Sequence, residues 1–290
     1  MDKILPFIPE RPEKPRNAGL TMVMDKGLSL QQAEQFVATS GHLVDLVKLG
    51  FGTSYVTPNV EQKIAFYRHS GIQCYLGGTF FEAFLRRDML EDYLRLLDQL
   101  GLDTVEISDG SVQLNPELKC EIIRRFSSYK RVLSEVGSKE EGILIAPGKW
   151  KQMMQDELSA GAWKVIAEAR ESGTVGIYRP NGKAHTSLIN KIMNVIDPEA
   201  VIWEAPQKSQ QVFWIKLLGA NVNLGNIAPE EVIPLETLRL GLRGDTFFTF
   251  LPKHLGAKEI TQVTLPPFAN DKLKNEHAGN KRSATKANAR

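Results

Sequence analysis

Residues 201–218 read VIWEAPQKSQQVFWIKLL, and this stretch contains the pattern that decides the fold. Its start is a short apolar run interrupted by Glu204, which is typical of a buried strand. A polar turn follows, and from Lys208 onward the apolar residues recur at helical spacing. A strand followed directly by a helix is the βα unit from which parallel sheets are built. The stretch therefore predicts an α/β protein.

The same order of strand, turn and helix recurs between residues 20 and 240. The predicted strands are Leu20–Met24, Leu43–Leu49, Ile72–Leu76, Thr104–Ser108, Arg131–Val136, Trp163–Ala167, Val201–Ala205 and Asn221–Leu224. The helices predicted to follow them are 29–39, 59–69, 80–100, 116–127, 149–160, 186–195, 208–218 and 229–240. Ser29 and Asn115 are start signals for two of these helices, and Gly101 and Gly219 are stop signals. Eight βα units in about 220 residues are the repeat of a (β/α)₈ TIM barrel.

A doubly wound open sheet is the competing architecture, but no G-x-G-x-x-G motif follows the first predicted strand. No linker or shift in composition divides residues 17–250, so we predict one barrel over this range. Residues 1–16 are predicted to be an N-terminal extension, and 251–270 a C-terminal extension that packs on the barrel. Residues 271–290 are predicted to be a disordered basic tail.

Composition excludes several classes of protein. The chain has 290 residues, of which 42% are hydrophobic and 24% charged, close to the globular average. No run approaches the roughly 18 apolar residues that a membrane span needs. Its two cysteines, Cys74 and Cys120, are too few for a disulfide scaffold. We therefore expect a protein of the reducing cytoplasm.

The net charge of +2 is unevenly distributed along the chain. Residues 271–290 carry six basic and two acidic side chains, which leaves a net charge of −2 for residues 1–270. This tail lacks aromatic residues and apolar periodicity, as solvated segments do. A nucleic-acid-binding arm is the less favoured interpretation, because no groove-reading motif accompanies the tail.

Glutamates lie near the ends of four neighbouring predicted strands: Glu106, Glu135, Glu168 and Glu204. In a TIM barrel the carboxyl ends of the strands meet at one mouth, where the chemistry takes place. Four converging carboxylates repel one another unless cations lie among them. Hard carboxylate oxygens are the ligands that Mg²⁺ prefers. The sequence therefore predicts a Mg²⁺ site, the alternative being ion pairs that hold the mouth together.

Basic residues follow the same strand ends: Lys26, Lys48, Lys139, Arg170 and Lys208. Cations that face a carboxylate cluster indicate an anionic substrate bound between them and a metal. Alternatively, they are the ion-pair partners of the glutamates. A lysine on a barrel strand can also form a Schiff base, and Lys48 is the candidate for that chemistry.

Two turns have the residues of a phosphate-binding loop. Gly77-Gly78 follows the third predicted strand, and Asn223 and Asn226 lie in the run NLGN after the eighth. The loops after the last two strands are the usual phosphate site of a TIM barrel. Arg239 and Arg243 follow in LRLGLRGD. They are candidates for the same site, although binding to helix carboxylates is the favoured interpretation for Arg239.

Long segments of the chain resemble the phosphosulfolactate synthase family over about residues 14–248. They are GLTMVMDKGL, DLVKLGFGTS, YLGGTFFEAF, VEISDGSVQL, SEVGSK, EARESGTVGIY, EAPQKSQQVFWIK and NVNLGNIAPEEVIPLETLRLGLRGDT. The family is a group of (β/α)₈ barrels that add sulfite to phosphoenolpyruvate with Mg²⁺, an early step of coenzyme M biosynthesis. It also includes a plant heat-stress-associated protein, and bacterial members in organisms without coenzyme M.

The resemblance implies a role for each candidate residue. Glu106, Glu135, Glu168 and Glu204 are the predicted Mg²⁺ ligands. Lys139 is the predicted general acid, with Arg170 and Lys48 as the other catalytic residues. The predicted substrate-binding residues are Lys26, Gly77, Gly78, Ser108, Lys208, Asn223, Asn226 and Arg243.

Two other functions remain open at this stage. One is a related barrel enzyme that uses another phosphorylated acid or another nucleophile in place of sulfite. The other is a non-catalytic, stress-related barrel like the plant relative. In every case we expect a homo-oligomer, since barrels commonly associate.

Overall fold

Eight parallel strands form a nearly closed barrel in the computed structural model, which describes residues 4–137, 146–256 and 259–260. The strands are β1 Thr21–Asp25, β2 Leu46–Leu49, β3 Gln73–Leu76, β4 Thr104–Ile107, β5 Arg131–Val136, β6 Lys164–Ala167, β7 Val201–Glu204 and β8 Leu224–Ile227. The helices are α1 Leu30–Ser40, α2 Val60–His69, α3 Gly78–Leu85, α4 Leu90–Gln99, α5 Pro116–Ser127, α6 Pro147–Ser159, α7 Thr186–Met193, α8 Lys208–Leu218 and α9 Val232–Arg239. The alternation confirms the predicted (β/α)₈ TIM barrel and excludes the open doubly wound sheet.

The strands follow the order β3-β2-β1-β8-β7-β6-β5-β4, and each neighbouring pair in this order is parallel. β3 and β4 are adjacent in space, but no hydrogen-bond ladder joins them in the described residues. We call this line the β3–β4 seam. It divides an otherwise continuous cylinder along one side.

Two apolar layers hold the barrel together. The inner layer fills the lower part of the barrel and consists of Leu20, Met22, Leu46, Tyr75, Leu133, Ile166 and Ile202. The larger outer layer lies between the strands and the helices that surround them. Burying one such side chain contributes about 1.5–3 kcal/mol. The inner layer therefore separates the mouth from the base of the barrel.

Several predicted elements differ in their end residues, and β2 begins at Leu46 and not at Leu43. Two further differences change the layout of the chain. The eighth strand is Leu224–Ile227 and not Asn221–Leu224, because Gly219 ends α8 with a φ of 89° and the following residues form the turn. The predicted helix 80–100 is two helices, α3 and α4. Asp88 separates them with a φ of 57°, a conformation that Asp adopts more easily than most residues.

The N-terminal segment binds the base of the barrel, opposite the mouth. Arg11 pairs with Glu236 at 2.9 Å, and Arg16 pairs with Asp45 at the same distance. These pairs are largely buried and therefore screened little by salt. They anchor the extension next to the start of β1.

Residues from Leu251 onward form a second compact unit, distinct from the barrel unit that ends at Phe250. Its described part contains a short 3₁₀ turn at Lys253–Leu255. The predicted tail at 271–290 and most of the predicted extension at 251–270 lie outside the described residues. Among the helices that are described, none combines the length and apolar character needed to cross a membrane.

Candidate active site

Lys48 is the centre of the barrel mouth. It lies on β2, and its Nζ is 2.9 Å from Glu106 Oε1, 3.3 Å from Glu135 Oε2 and 3.6 Å from Glu204 Oε1. All four side chains are buried. Burial lowers the pKa of Lys48, but the three carboxylates outweigh burial and raise this pKa well above its usual value. The amine is therefore held as an ammonium ion, which disfavours the Schiff-base alternative because that chemistry needs a neutral amine.

Three of the four predicted glutamates form a compact acid cluster, which we call the acid triad: Glu135, Glu168 and Glu204. Each offers a carboxylate oxygen, and these oxygens lie within 4.8 Å of one another. Three hard oxygen donors at this spacing fit a Mg²⁺ ion that keeps some of its waters. Glu106 is not part of the triad, since its Oε1 accepts hydrogen bonds from Lys48 and from the Gly78 amide at 2.6 Å.

Backbone amides orient two members of the triad. The Ala169 amide donates to Glu204 at 2.9 Å, and the Arg170 amide donates to Glu168 at 2.6 Å. Burial raises the pKa of Glu204 to about 7, although Lys48 acts in the opposite direction. Such a carboxyl group gains a proton much more readily than a surface glutamate. A divalent cation at the triad would favour its ionised form.

A cavity of about 430 Å³ opens at the mouth above Lys48. Glu106 and the acid triad line it, and so do Gly77, Gly78, Arg170 and Asn226. The structure thus brings together nine of the residues predicted from sequence, counting Lys48. The wall also contains Met24, Phe51, Ser111 and Thr174, which sequence reasoning missed because nothing in their local pattern separates them from ordinary loop residues.

Gly77 and Gly78 allow β3 and β4 to approach closely. A Cβ on Gly78 would lie 2.5 Å from Ser108 Oγ, which no side chain tolerates. The Gly77 amide donates to Leu49 O at 3.0 Å, so both glycine amides are already engaged within the protein. This geometry explains the glycines by packing, and their phosphate-binding role stays a prediction.

Ser108 is buried on the outer side of the mouth, where its hydroxyl donates to Glu82 of α3. Glu82 also accepts a hydrogen bond from the Ser111 amide at 2.7 Å. The Ser108 hydroxyl is therefore turned away from the cavity, and Ser111 is the serine that lines it. The loop after β4 is held in place by a buried glutamate that the sequence did not single out.

Asn226 reaches the cavity because β8 contains a β-bulge. Thr21 pairs with Leu224 and Val23 with Ile227, so β8 has one residue more than β1 over this interval. Asn226 has a left-handed φ of 54°, is 7% exposed and lines the cavity. Its Oδ1 has no hydrogen-bond partner in the described part of the chain. Bulges commonly redirect a side chain beside an active site, and here the bulge places the Asn226 amide in the cavity wall.

The rim of the mouth contains the exposed cations. Lys26 pairs with Glu171 at 3.1 Å, and its Nζ is 5.9 Å from the centre of the Phe51 ring. Arg170 is exposed and has a φ of 52°. These side chains therefore give the rim of the cavity positive charge.

Six predicted site residues are absent from the described wall of this cavity: Lys26 and Ser108, described above, and Asn223, Lys208, Arg243 and Lys139. Asn223 lies at the base of the barrel, where its amide donates to Glu199 O and Val201 O at 2.9 and 3.1 Å. This removes it from the mouth, because β8 begins three residues later than predicted. Lys208 pairs with Asp245 at 2.6 Å, and Arg243 is absent from the described cavity wall. Lys139 lies outside the described residues.

Comparison with known proteins agrees with this geometry. Residues 9–245 match the family model of (2R)-phospho-3-sulfolactate synthase (ComA). The chain is 42% identical over 244 residues to the phosphosulfolactate synthase of Methanothermobacter thermautotrophicus, which covers 82% of this chain and 95% of that protein. It is 38% identical over 244 residues to the phosphosulfolactate synthase of Bacillus subtilis, which covers 83% of this chain and 97% of that protein.

Two weaker similarities extend the comparison. Protein HEAT-STRESS-ASSOCIATED 32 of Arabidopsis thaliana is 23% identical over 260 residues, which covers 79% of this chain and 88% of that protein. The solved structure of 3-hexulose-6-phosphate synthase from Salmonella typhimurium aligns with a TM-score of 0.51 at 14% identity, covering 77% of this chain and all of that one. The structural similarity supports the fold, whereas the family match covers the residues of the mouth. The chain therefore belongs to the (2R)-phospho-3-sulfolactate synthase family, a family of lyase-type enzymes that act on small molecules.

Proposed function

We propose that the protein adds sulfite to phosphoenolpyruvate in a Mg²⁺-dependent reaction that forms (2R)-phospho-3-sulfolactate. The observation that carries this proposal is the arrangement of the charged Lys48 beside the acid triad at the floor of the mouth cavity. An ammonium ion and a carboxylate cluster in one buried site suit a substrate that carries several negative charges. Family membership supplies the identity of the product.

Glu135, Glu168 and Glu204 would hold the Mg²⁺ ion. When bound, Mg²⁺ supplies positive charge that stabilises electron density on the substrate carboxylate. The three glutamates differ in their surroundings, since Glu204 and Glu168 accept backbone amides and Glu135 contacts Lys48. These contacts hold the carboxylates in place before a ligand enters, and preorganised charge is the most effective kind.

The chemistry joins sulfur to the methylene carbon of phosphoenolpyruvate. The sulfur lone pair forms the C–S bond, and the electron pair of the C=C bond moves onto the neighbouring carbon and its carboxylate. That carbon then takes one proton, and the phosphate ester remains intact throughout. Lys48 stays protonated and binds an anionic oxygen, while Asn226 offers its amide to another.

The proton donor in this proposal is Lys139, which lies outside the described residues. Support comes from its place in the chain, three residues after the end of β5 and four after Glu135. A lysine is protonated at neutral pH and can serve as a general acid. Lys139→Ala should reduce product formation while leaving the binding of phosphoenolpyruvate in place.

The decisive experiment incubates the purified protein with phosphoenolpyruvate, sulfite and Mg²⁺. We expect ³¹P NMR to show a new phosphoester without release of inorganic phosphate, and mass spectrometry to show the mass of phosphosulfolactate. Omitting sulfite, or chelating the metal with EDTA, should abolish the new signal. Loss of phosphoenolpyruvate without sulfite would instead favour a different reaction on this scaffold, and the absence of any new phosphoester would reject the proposal.

A cytoplasmic location and a homo-oligomeric state belong to the same proposal. Cys74 and Cys120 are both buried free thiols, which suits a reducing compartment. The oligomeric state stays a prediction, and light scattering on the purified protein tests it.

A further inference from the structure

Lys119 is a buried lysine of α5 that lies directly behind the mouth. Its side chain is 1% exposed. Its Nζ donates to Glu135 O at 2.7 Å and lies 2.9 Å from Asp109 Oδ1 and 3.1 Å from Glu157 Oε1. Burial of a lysine at this depth is rare unless it is paired. No part of the proposed reaction uses this cation, so its presence needs an explanation of its own.

The contact with Glu135 O compensates for a difference in strand length. The β4–β5 ladder ends at the pair Ile107–Ser134, so Glu135 is the first residue of β5 beyond it. A strand that continues past its neighbour leaves backbone groups on that side without a ladder partner. The Lys119 ammonium donates to the carbonyl at this point and holds β5 in register.

Two carboxylates, those of Asp109 and Glu157, hold the Lys119 ammonium in place. Asp109 lies in the loop after β4, so a single cation ties the carboxyl ends of β4 and β5 together. Glu157 of α6 is also bonded through its Oε2 to Ser134 Oγ at 2.6 Å. Lys119 is thus attached to the loop after β4, to β5 and to α6, and it has little freedom to move.

We propose that Lys119 is a positioning residue that sets the backbone of Glu135 and thereby the place of its carboxylate in the acid triad. This inference rests on the proposed function, in which Glu135 holds the metal. The Glu135 side chain contacts Lys48 while its carbonyl contacts Lys119, so this residue is held through both its side chain and its backbone. A shift of about 1 Å at such a site costs up to about 100-fold in rate.

The test separates positioning from charge balance with three variants: Lys119→Met, Glu157→Gln and the double variant Lys119→Met/Glu157→Gln. Lys119→Met leaves Glu157 buried without its cation, and we expect the melting temperature to fall by about 10 °C. The double variant removes both charges, so it should recover most of this loss. Its rate of phosphosulfolactate formation should nevertheless stay at least about tenfold below that of the unmodified protein.

Glu157→Gln is the matched control, because it keeps Lys119 and its contact with Glu135 O. We expect its rate to stay within about threefold of the unmodified protein. A double variant that recovers both stability and rate would overturn the inference, since Lys119 would then serve charge balance alone. A Glu157→Gln variant as slow as the double variant would overturn it as well.

Amide hydrogen exchange gives a readout that does not depend on the reaction. In the double variant, exchange should accelerate in the peptide covering residues 131–137, while the peptides of β1 and β2 keep the rates of the unmodified protein. Unchanged exchange in this peptide contradicts the inference. If the unmodified protein forms no phosphosulfolactate, the proposed function fails, and the exchange experiment still decides whether Lys119 holds the end of β5.

Discussion

Lys48 Nζ and Glu106 Oε1 lie 2.9 Å apart in a buried ion pair that spans the β3–β4 seam. Lys48 belongs to β2 and Glu106 to β4, so the pair reaches over β3 to the strand that no ladder holds there in the described residues. The same ammonium lies at the floor of the mouth cavity. The cation that bridges the seam is therefore also the one at the floor of the cavity.

Replacement of this cation tests both roles. Lys48→Met leaves the carboxylates of Glu106, Glu135 and Glu204 buried without it, and we expect the free energy of unfolding to fall by about 3–5 kcal/mol. Product formation should fall by at least about 100-fold because a preorganised charge is lost. Urea unfolding and ³¹P NMR measure the two effects. Arg125→Met is the matched control, since Arg125 forms an exposed pair with Glu91 that contributes about 1 kcal/mol or less.

Glu204 predicts a pH dependence of stability in the metal-free protein. Its pKa is raised to about 7 from an ordinary value of 4.5, so the folded state binds the proton more tightly than the unfolded state. The resulting stabilisation is complete below pH 4.5 and is lost as the pH rises to about 7. Between pH 5 and pH 8 this amounts to up to about 3 kcal/mol.

The measurement is urea unfolding in EDTA at both pH values, with Glu204→Gln as the comparison. The glutamine cannot ionise, so the variant should lack this part of the pH dependence. Equal slopes of stability against pH in the two proteins would contradict the raised pKa of Glu204.

Asn226 allows a substitution that removes the amide but keeps the bulge. Asn226→Gly preserves a backbone with positive φ, because glycine adopts this conformation without strain. We expect the free energy of unfolding to change by at most about 1 kcal/mol and kcat/KM to fall about 10- to 100-fold. Asn59→Gly is the matched control, since Asn59 has a φ of 53° and directly precedes α2. A normal kcat/KM in Asn226→Gly would exclude the amide from substrate binding.

Arg239 should be important for stability and irrelevant to the reaction. It is fully buried at the base of the barrel and donates to Ala220 O, Val222 O and Leu20 O at 2.6, 2.7 and 3.1 Å. Arg239→Met removes three buried hydrogen bonds to these carbonyls, of which Leu20 O and Ala220 O keep another donor. The loss should cost about 3 kcal/mol of the unfolding free energy. Assayed well below its melting temperature, the variant should keep its kcat/KM within about twofold. A large loss of kcat/KM would show that the base of the barrel communicates with the mouth.

The alternation of strands and helices was readable from sequence because each βα unit has its own local pattern. The glutamates at the strand ends were readable for the same reason, since the barrel brings all those ends to one mouth. Glu135, Glu168 and Glu204 meet as expected. Glu106 faces Lys48 and Gly78 instead, which depends on the width of the seam and not on any local signal.

The predictions from sequence were wrong where the position of a residue depends on the exact register of its strand. A shift of three residues in β8 moved Asn223 from the mouth to the base, and the bulge that brings Asn226 inward depends on pairing with β1. Gly225 shows that pairing with β1 restricts the residues of β8, because a Cβ at this position would lie 2.6 Å from Met22 Cε inside the barrel. No local sequence pattern specifies such a contact.

The sequence analysis also did not identify the charged residues that are buried on the helices. Glu82 and Lys119 lie on helices where a charged residue usually marks the solvated face. Their burial becomes evident only when the partner is known, as with Ser111 for Glu82 and Glu157 for Lys119. The partners come from other βα units, so the sequence of a single unit does not reveal them.

The β3–β4 seam gives the barrel the mechanics of a tube slit along its length. A fully hydrogen-bonded barrel resists deformation around its whole wall. A barrel with one unpaired seam deforms most easily there and depends on the contacts that join the two strands. Near the mouth, two polar contacts join the strands: Glu106 pairs with the ammonium of Lys48 and accepts a hydrogen bond from the amide of Gly78. An anion that attracts Lys48 would weaken the ion pair with Glu106, while the hydrogen bond from Gly78 stays in place. We therefore expect occupancy of the mouth to change how easily the wall deforms at the seam.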